Sequence, residues 1–276
     1  MSIYKLQNFS SAFVSNILIL SIVVILLANC RREKDVLNIE EKTVTEVSDI
    51  APVDDSLVKP VDYTVMVSLS DLETEERKQK FIEMLLPPIL IAKFNVDKLR
   101  QQVEELSDKD TNDLRRKDRQ LIDTLLIRYR AGNMKELLIR LNSHPASIVI
   151  AQAALESAWG TSRFFYEANN PFGIWSFYDD EPRIASLSPR DGNQVYLKKF
   201  GSLSEAAENY FFTMATGPYS EFRKARLKTV QPKKLIPYLY NYSEKRSAYP
   251  EMLADIIRQN GLTRYDHYII DPSYID

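Results

Sequence analysis

Cysteine and histidine are scarce in this chain of 276 residues, and their scarcity narrows the chemistry that the chain can perform. Cys30 is the one cysteine, so no disulfide bond can form within the chain. The two histidines, His144 and His267, are far apart in the sequence and offer no metal-ligand spacing. We therefore expect chemistry that uses no metal and no other cofactor.

An excess of positive charge is also missing. Lys and Arg number 36 against 38 Asp and Glu, which gives a formal net charge of −2. This balance creates no basic field of the kind that attracts nucleic acid, so we exclude nucleic acid as a partner. There is no internal repeat, and the 45% hydrophobic content is enough for one main core of about 200 residues. We expect one main domain and a monomer.

Residues 1–30 have the pattern of an export signal. Lys5 precedes an uncharged apolar stretch at 17–28, which ends just before Cys30. The residues Leu-Ala-Asn-Cys resemble a lipobox, in which the cysteine is lipidated, although asparagine replaces the usual small residue. The alternative is an uncleaved signal anchor, which the two arginines after the cysteine would oppose. Either reading predicts a protein that is anchored in a membrane of the cell envelope and faces the periplasm.

The rest of the chain divides at about Pro60. Residues 31–60 are charged, free of glycine and without a sustained periodic pattern, which predicts a disordered linker. Residues 61–276 then form the predicted folded domain. Its first part has helical apolar periodicity, and we expect one helix to stop at Pro87-Pro88.

Three short segments at 174–178, 183–187 and 194–200 are separated by turn residues and predict a small antiparallel sheet. Helical patterns resume after them. The predicted fold class is therefore α+β, with a mostly helical body and one small β lobe.

The most informative stretch is PASIVIAQAALESAWGTSRFFYEANNPFGIW, at 145–175. Its first half is apolar in almost every direction around a helix, which predicts a buried helix that ends at Gly160. Glu156 is the one carboxylate in that surface, one turn after Gln152. Desolvation favours the protonated form of a carboxyl group, so a glutamate here can hold a proton near neutral pH and deliver it as a general acid. The alternative is a structural acid that pairs with an arginine or caps a helix.

This stretch resembles the core motif of bacterial glucosaminidase domains, the peptidoglycan hydrolases of glycoside hydrolase family 73, and more closely the Bax-type proteins of Gram-negative bacteria. The resemblance extends over about 61–267. It implies a lysozyme-like fold with a cleft between the lobes, and it implies that Glu156 is the catalytic acid. It also implies a substrate cleft that includes Gln152, Asn170, Phe172, Gly173, Trp175, Tyr242 and Tyr249. The alternative for the two tyrosines is that they pack between helices with a hydroxyl group that reaches solvent.

Sugar-cleaving sites usually need a second group, either a base or a nucleophile. The β lobe offers four acids, Asp179, Asp180, Glu181 and Asp191. We select Glu181 as the second catalytic residue, with Asp180 next, because Glu181 has the longest reach and sits beside a proline at a hairpin. The alternatives are that all four are ordinary turn residues, and that the 2-acetamido group of the substrate itself attacks the anomeric carbon.

Together these features predict an exported, membrane-tethered peptidoglycan hydrolase, an endo-β-N-acetylglucosaminidase that acts on glycan strands. Two other functions stay open on the sequence. One is a lytic transglycosylase that uses the same acid on the same substrate, and the other is a wall-binding protein with little catalytic activity.

Overall fold

The computed structural model describes residues 35–110, 113–189, 192–243 and 248–276. The larger of its two compact units spans Asn38–Tyr274 and contains all the helices and strands given below. In the smaller unit, Leu37 pairs with Ile275 in an antiparallel bridge. The predicted signal segment at 1–30 lies outside the described residues. Within the described ranges, no helix combines the length and the apolar character that crossing a membrane requires.

Helices make up most of the larger unit. In chain order they are α1 (Thr74–Ser107), α2 (Arg116–Arg128), α3 (Met134–Arg140), α4 (Ala146–Ser157), α5 (Arg163–Ala168), α6 (Leu203–Thr216), α7 (Ser220–Arg226), α8 (Pro232–Leu235) and α9 (Ala248–Gln259). Short 3₁₀ helices follow α8 at Ile236–Leu239 and α9 at Leu262–His267.

The strands are short and form three separate sheets: β1 (Glu40–Thr43), β2 (Leu57–Val58), β3 (Val61–Val65), β4 (Trp175–Ser176), β5 (Arg183–Ala185), β6 (Tyr196–Lys198) and β7 (Ile269–Ile270). The β lobe is the sheet β4-β6-β5, in which both pairings are antiparallel. The other two sheets are the parallel pairs β1-β3 and β2-β7. The predicted α+β class, with a helical body and a small antiparallel lobe, is confirmed.

The prediction of a disordered linker at 31–60 is wrong for its described part after residue 37. Strands β1 and β2 lie in this segment, and three of its apolar side chains, Val44, Ile50 and Val58, are buried. Strand pairing through backbone groups does not need a periodic side-chain pattern, and no side chain of β1 is buried. Isolated valines and isoleucines can then dock into a core that other elements supply.

Helix α1 corrects a second prediction, because it continues through Pro87 and Pro88 for 34 residues. Each proline removes one backbone donor and places its ring against the preceding turn, which usually ends a helix. Here the helix is fully buried on both sides of the pair, for example at Leu85 and Ile89. The burial of this apolar surface offsets the local cost of the prolines.

Helix α4 is the centre of the body. Its residues 146–154 are all buried, and it packs against α1, α9 and the 3₁₀ helix Leu262–His267. At its N-terminus the carboxylate of Asp266 accepts hydrogen bonds from the backbone nitrogen and the hydroxyl of Ser147, at 2.8 and 2.9 Å. An acidic side chain at this end satisfies orphan donors and complements the helix dipole.

At its C-terminus α4 ends in three consecutive residues with left-handed backbone, Ala158, Trp159 and Gly160. Only the glycine adopts this conformation without strain. The hydroxyl of Ser157 bridges the turn, since it donates to the carbonyl of Ala153 and accepts from the nitrogen of Gly160. The predicted helix end at Gly160 is therefore confirmed to within three residues, with a tighter turn than the sequence predicts.

Gly160 is required both for its φ of +78° and for space. A β-carbon there would lie 2.9 Å from Leu69 Cδ1 and 3.1 Å from the rings of Phe81 and Phe165. We expect Gly160→Ala to lower the free energy of unfolding by about 2–4 kcal/mol, the sum of left-handed strain and overpacking. Urea unfolding followed by circular dichroism measures the change.

The matched control for this substitution is Gly261→Ala. Gly261 also follows a helix and has a φ of +57°, but open space surrounds its added β-carbon. Only the strain of about 1 kcal/mol should remain there. Equal losses for the two substitutions would contradict the packing argument.

Candidate active site

A groove runs along the boundary between the β lobe and the helices. Its larger part is a cavity of about 820 Å³, lined by residues of the 172–178 segment, α6 and the 217–219 loop. A second cavity of about 310 Å³ continues it on the side of β5 and β6. Glu156, Gly173 and Trp175 line both cavities. The predicted cleft is present, and the proposed acid lies where its two parts meet.

Glu156 is in the last turn of α4 and is half-buried. The hydroxyl of Tyr249 on α9 donates a hydrogen bond to Glu156 Oε1 at 3.0 Å. Gly173 borders the other carboxylate oxygen, because a β-carbon at this glycine would lie 3.7 Å from Glu156 Oε2. The carboxyl group therefore has one oxygen held by a tyrosine and the other on the side of the groove-lining glycine.

Gln152 and Tyr249 do not reach solvent. Both side chains are fully buried, and Gln152 Nε2 donates to the Tyr249 hydroxyl at 3.2 Å. Burial and the nearby charge of Glu156 raise the pKa of Tyr249 far above its ordinary range, so its hydroxyl stays protonated and remains a donor. The structure places both side chains behind the acid, where Tyr249 contacts Glu156 and Gln152 contacts Tyr249, and their predicted substrate-binding role stays a prediction.

Tyr242 belongs to a group of stacked aromatic rings beside Tyr249. The two tyrosine rings are nearly parallel, with centroids 5.6 Å apart, and the Tyr242 hydroxyl donates to the carbonyl of Phe172 at 3.4 Å. Burial raises the pKa of Tyr242 well above its ordinary range. Tyr242 also lines the larger cavity, in agreement with its predicted place in the cleft.

Asn170 is almost completely buried, and its side chain shapes the turn that leads into the β lobe. Its Nδ2 donates to the carbonyls of Ile174 and Lys198, both at 2.9 Å, and its Oδ1 accepts from the nitrogen of Ile174 at 3.0 Å. Phe172 is also buried and stacks on Tyr210 with a centroid distance of 4.6 Å. Both residues also line the groove, Phe172 in the larger cavity and Asn170 in the smaller one, so their substrate-binding role stays a prediction.

Trp175 and Gly173 fit the predicted cleft better. The Trp175 ring is 39% exposed, lines both cavities and lies against Phe177 at a centroid distance of 6.2 Å. Phe177 and Tyr178 are exposed along the larger cavity. These rings form an accessible aromatic surface next to the acid.

Glu181, the predicted second catalytic residue, holds the β lobe together. Its carboxylate accepts from the Ser176 hydroxyl at 2.7 Å and from the nitrogen of Phe177 at 3.1 Å, and it pairs with Lys198 at 2.8 Å. Burial alone would raise the pKa of Glu181, but these bonds hold it below its ordinary value. Glu181 does not line either cavity, whereas Lys198 lines the larger one. Its catalytic role stays a prediction, and its geometry is that of a structural carboxylate.

Of the remaining acids of the lobe, the two that the structure describes, Asp179 and Asp180, also stay outside the groove lining. Asp179 pairs with Arg183, Asp180 is exposed, and Asp191 lies outside the described residues. Among the described residues that line the two cavities, Glu156 is the one carboxylate. No cluster of three or more metal-ligating side chains occurs in the part of the chain that the structure describes.

Sequence reasoning missed two buried polar residues behind the acid, Tyr210 and His144. The Tyr210 hydroxyl donates to Gln152 Oε1 at 2.6 Å, and His144 Nε2 contacts the same hydroxyl at 2.8 Å. Tyr210 falls on the apolar face of α6, where a phenylalanine would fit the pattern equally well. Its hydroxyl on a core face was the available signal, because a buried tyrosine usually needs a partner.

Burial lowers the pKa of His144 well below its ordinary value, and the cations Arg226 and Lys93 add to this effect. The unfolded chain therefore binds a proton at a higher pH than the folded one, and the free energy of unfolding should fall as pH drops below about 6.5. We expect the slope to approach about 1.4 kcal/mol per pH unit in that range.

Denaturant unfolding between pH 7 and pH 5 measures this slope. His144→Gln removes the titrating group and should flatten it, whereas the same change at the exposed His267 should not. An unchanged slope in His144→Gln would assign the pH dependence to other groups.

Comparisons with known proteins agree with the predicted family. Residues 132–262 match the family model of Glucosaminidase, described as mannosyl-glycoprotein endo-beta-N-acetylglucosaminidase. The chain is similar to Protein bax of Escherichia coli (strain K12), with 30% identity over 131 residues, which is 45% of this chain and 46% of that protein. The chain thus spans about half the length of this relative.

Solved structures of wall-lytic enzymes are similar in part. The catalytic domain of the autolysin Auto from Listeria monocytogenes has 22% identity and a TM-score of 0.39, with 59% of this chain and 94% of that chain covered. A peptidoglycan hydrolase from Sphingomonas sp. A1 has 19% identity and a TM-score of 0.37, with 53% and 92% covered.

The family match begins just before α3 and ends at the start of the 3₁₀ helix Leu262–His267. It therefore includes the acid, the β lobe and α9. The strands β1 to β3 and the helices α1 and α2 precede the matched segment and complete the body around it.

Proposed function

Because residues 132–262 match the family model of Glucosaminidase, we propose that this chain is a peptidoglycan hydrolase with Glu156 as its general acid. The bond that it cleaves follows N-acetylglucosamine within a glycan strand. The observation that carries this proposal is the position of Glu156, which lies where the two cavities meet and is held by the hydroxyl of Tyr249.

Cleavage inside a strand needs room for sugars on both sides of the acid. The two cavities supply it, since one of about 820 Å³ and one of about 310 Å³ both reach Glu156. Exposed rings at Trp175 and Phe177 offer faces for the C–H edges of sugars. The groove thus supports binding of a polymer rather than of a terminal sugar alone.

The chemistry follows from the single carboxylate. Glu156 donates its proton to the bridging oxygen as the bond from that oxygen to the anomeric carbon breaks. The carbonyl oxygen of the substrate's 2-acetamido group attacks the anomeric carbon and forms a cyclic oxazolinium ion. Water then opens this ion and returns a proton to the Glu156 carboxylate. This route needs no close protein nucleophile, in agreement with a described groove lining in which Glu156 is the only acid.

Glu156→Gln keeps the shape of the side chain and removes the acid proton. We expect wall hydrolysis to fall by about 100-fold or more, the scale of general acid catalysis, while the thermal unfolding curve stays close to that of the parent. A zymogram with purified peptidoglycan measures the activity.

The control variant is Glu181→Gln, which removes a carboxylate from the β lobe but not from the groove. Its loss of activity should be modest. Retention of more than roughly a tenth of the activity in Glu156→Gln would exclude the general-acid role. A near-complete loss in Glu181→Gln that azide restores would identify Glu181 as the base.

The products decide between the proposed hydrolysis and lytic transglycosylation. Mass spectrometry of the new ends should show a reducing N-acetylglucosamine. A transglycosylase would instead cleave the neighbouring bond and leave an anhydro sugar at the new end. Binding of glycan strands without any new ends would favour a wall-binding protein.

The proposal includes export and tethering, which rest on the sequence of residues 1–30. Cys30 follows the apolar stretch at the place where a lipoprotein is cut and acylated. The catalytic body would then work in the periplasm while the anchor keeps it near the membrane.

Cys30→Ala tests the anchor. Metabolic labelling with a fatty acid should mark the parent protein and should disappear in the variant, because the thiol is the acylated group. Cys30→Ser is a second variant of similar size that should also lose the label. Equal labelling of parent and variants, or none in the parent, would favour a signal anchor.

A further inference from the structure

The hydrogen bonds behind the proposed acid continue deep into the protein. His144 Nε2 contacts the Tyr210 hydroxyl at 2.8 Å, and Arg226 Nη1 contacts His144 Nδ1 at 3.3 Å. With the three bonds already described, these contacts form one unbroken series from α7 to the groove. We call it the buried chain; it consists of Arg226, His144, Tyr210, Gln152, Tyr249 and Glu156.

The direction of every bond in the buried chain follows from its first member. A guanidinium can only donate, so Arg226 must donate to His144 Nδ1. The imidazole is neutral, so its one proton lies on Nε2 and points to the Tyr210 oxygen.

The rest of the direction follows in the same way. The single proton of Tyr210 then goes to Gln152 Oε1, which turns the amide nitrogen towards Tyr249. Tyr249 therefore donates its own hydrogen bond to Glu156 Oε1. The chain starts at a group that only donates and ends at a carboxylate oxygen, which accepts.

Arg226 is an unusual residue to find at the start of this chain. Its side chain is 5% exposed, and burial lowers its pKa to about 10, which still leaves it charged at neutral pH. In the described part of the protein it forms no ion pair, and the carbonyls of Asn142 and Ile139 accept its other hydrogen bonds. A buried charge without a carboxylate partner lowers the stability of the fold, so we expect Arg226 to have a role that compensates for this cost.

We propose that Arg226, His144 and Tyr210 are positioning residues for the acid. Through Gln152 and Tyr249 they fix Oε1 of the acid as an acceptor, so that its catalytic proton resides on Oε2, on the Gly173 side of the groove. This inference rests on the proposed function of Glu156 for its catalytic consequence, and on the geometry of the buried chain for everything else.

A carboxylate that accepts a hydrogen bond is stabilised in its charged form. The chain should therefore make Glu156 titrate at a lower pH than it would with the last bond broken. Among the described residues, the charge of Glu156 acts on Tyr249, Tyr242 and Tyr219, and burial raises the pKa of each. Two cations, Lys198 and Arg130, line the same cavity as the acid. These tyrosines stay neutral through the range in which a carboxyl group titrates.

At the other end of the chain, Lys93 also faces His144, and its Nζ donates to the His144 carbonyl at 2.8 Å. Arg226 lies on the ring side of the same histidine. Both cations oppose a charge on the imidazole, so the neutral tautomer that the chain requires is maintained at mildly acidic pH.

Tyr210→Phe breaks the chain in the middle and keeps the ring that stacks on Phe172. Its effect is measured on purified full-length protein labelled with ¹³C at the glutamate carboxyl carbons, where the Glu156 signal is assigned by its absence in Glu156→Gln. We expect the titration midpoint of Glu156 to move to higher pH by about half a unit or more, because the amide of Gln152 and the hydroxyl of Tyr249 lose their fixed direction.

The matched control is Tyr63→Phe. Tyr63 is also fully buried, and its hydroxyl accepts a hydrogen bond from the nitrogen of Ala51, outside the buried chain. Its loss should leave the Glu156 titration where it is in the parent. A shift of the same size in both variants would show a general effect of core tyrosines and would overturn the proposal.

A pair of substitutions at His144 gives a second test that does not depend on the folding of Tyr210→Phe. His144→Gln keeps an acceptor for Arg226 and a donor for Tyr210, so the Glu156 titration should match the parent. His144→Phe keeps the ring volume without either group, so the titration should move as in Tyr210→Phe. Identical midpoints in these two variants would overturn the proposal.

Kinetics on soluble peptidoglycan fragments provide the catalytic readout. In Tyr210→Phe we expect kcat to fall about 10-fold with KM within about twofold, and the alkaline limb of the pH profile to move to higher pH. A parent without cleavage activity but with the expected titration shifts would refute the proposed function and leave the chain in place. If the parent is active but the titration midpoint of Glu156 is unchanged in Tyr210→Phe, the positioning role of the buried chain is refuted and the proposed function is not.

Discussion

The burial of α4 on all sides is the constraint on which the rest of the structure depends. A helix with apolar residues in almost every direction cannot lie on a surface, so α1, α9 and the 3₁₀ helix Leu262–His267 must cover it. This cover opens at the last turn, where Glu156 meets the groove. A tight left-handed turn after Ser157 ends the helix just beyond the acid.

Placing an acid at the end of a buried helix creates a second requirement, since the polar groups around it must find partners inside the core. The tyrosines, the glutamine and the histidine behind Glu156 satisfy one another in sequence. Fully satisfied networks of this kind rigidify a core and select one arrangement of side chains. In the proposed function, the hydrogen bonds that satisfy these buried groups also hold the Glu156 carboxyl group in one orientation, so stability and catalysis depend on the same bonds.

Local patterns in the sequence predicted the α4 helix, its glycine stop and the antiparallel β lobe, whereas the cleft and the place of Glu156 in it were implied by the family resemblance. The local patterns failed where the outcome depends on distant partners. Strands β1 and β2 pair with segments that follow them in the chain, and their own side-chain pattern does not indicate these partners. Pro87 and Pro88 do not end α1, because the burial of the apolar residues around them stabilises the helix. The bonds of Asn170 to two backbone carbonyls and the stacking of Phe172 on the Tyr210 ring also depend on distant partners, which no spacing in the sequence reveals.

The pairing of β2 with β7 joins Leu57 and Val58 to Ile269 and Ile270, about 210 residues later in the chain. During synthesis at about 5–20 residues per second, β2 therefore waits roughly 10–40 s before its partner exists. Through that interval its backbone groups form an open strand edge, which other chains can use as a template. The strand is only two residues long, so few backbone groups are available for pairing with other chains before β7 is synthesised.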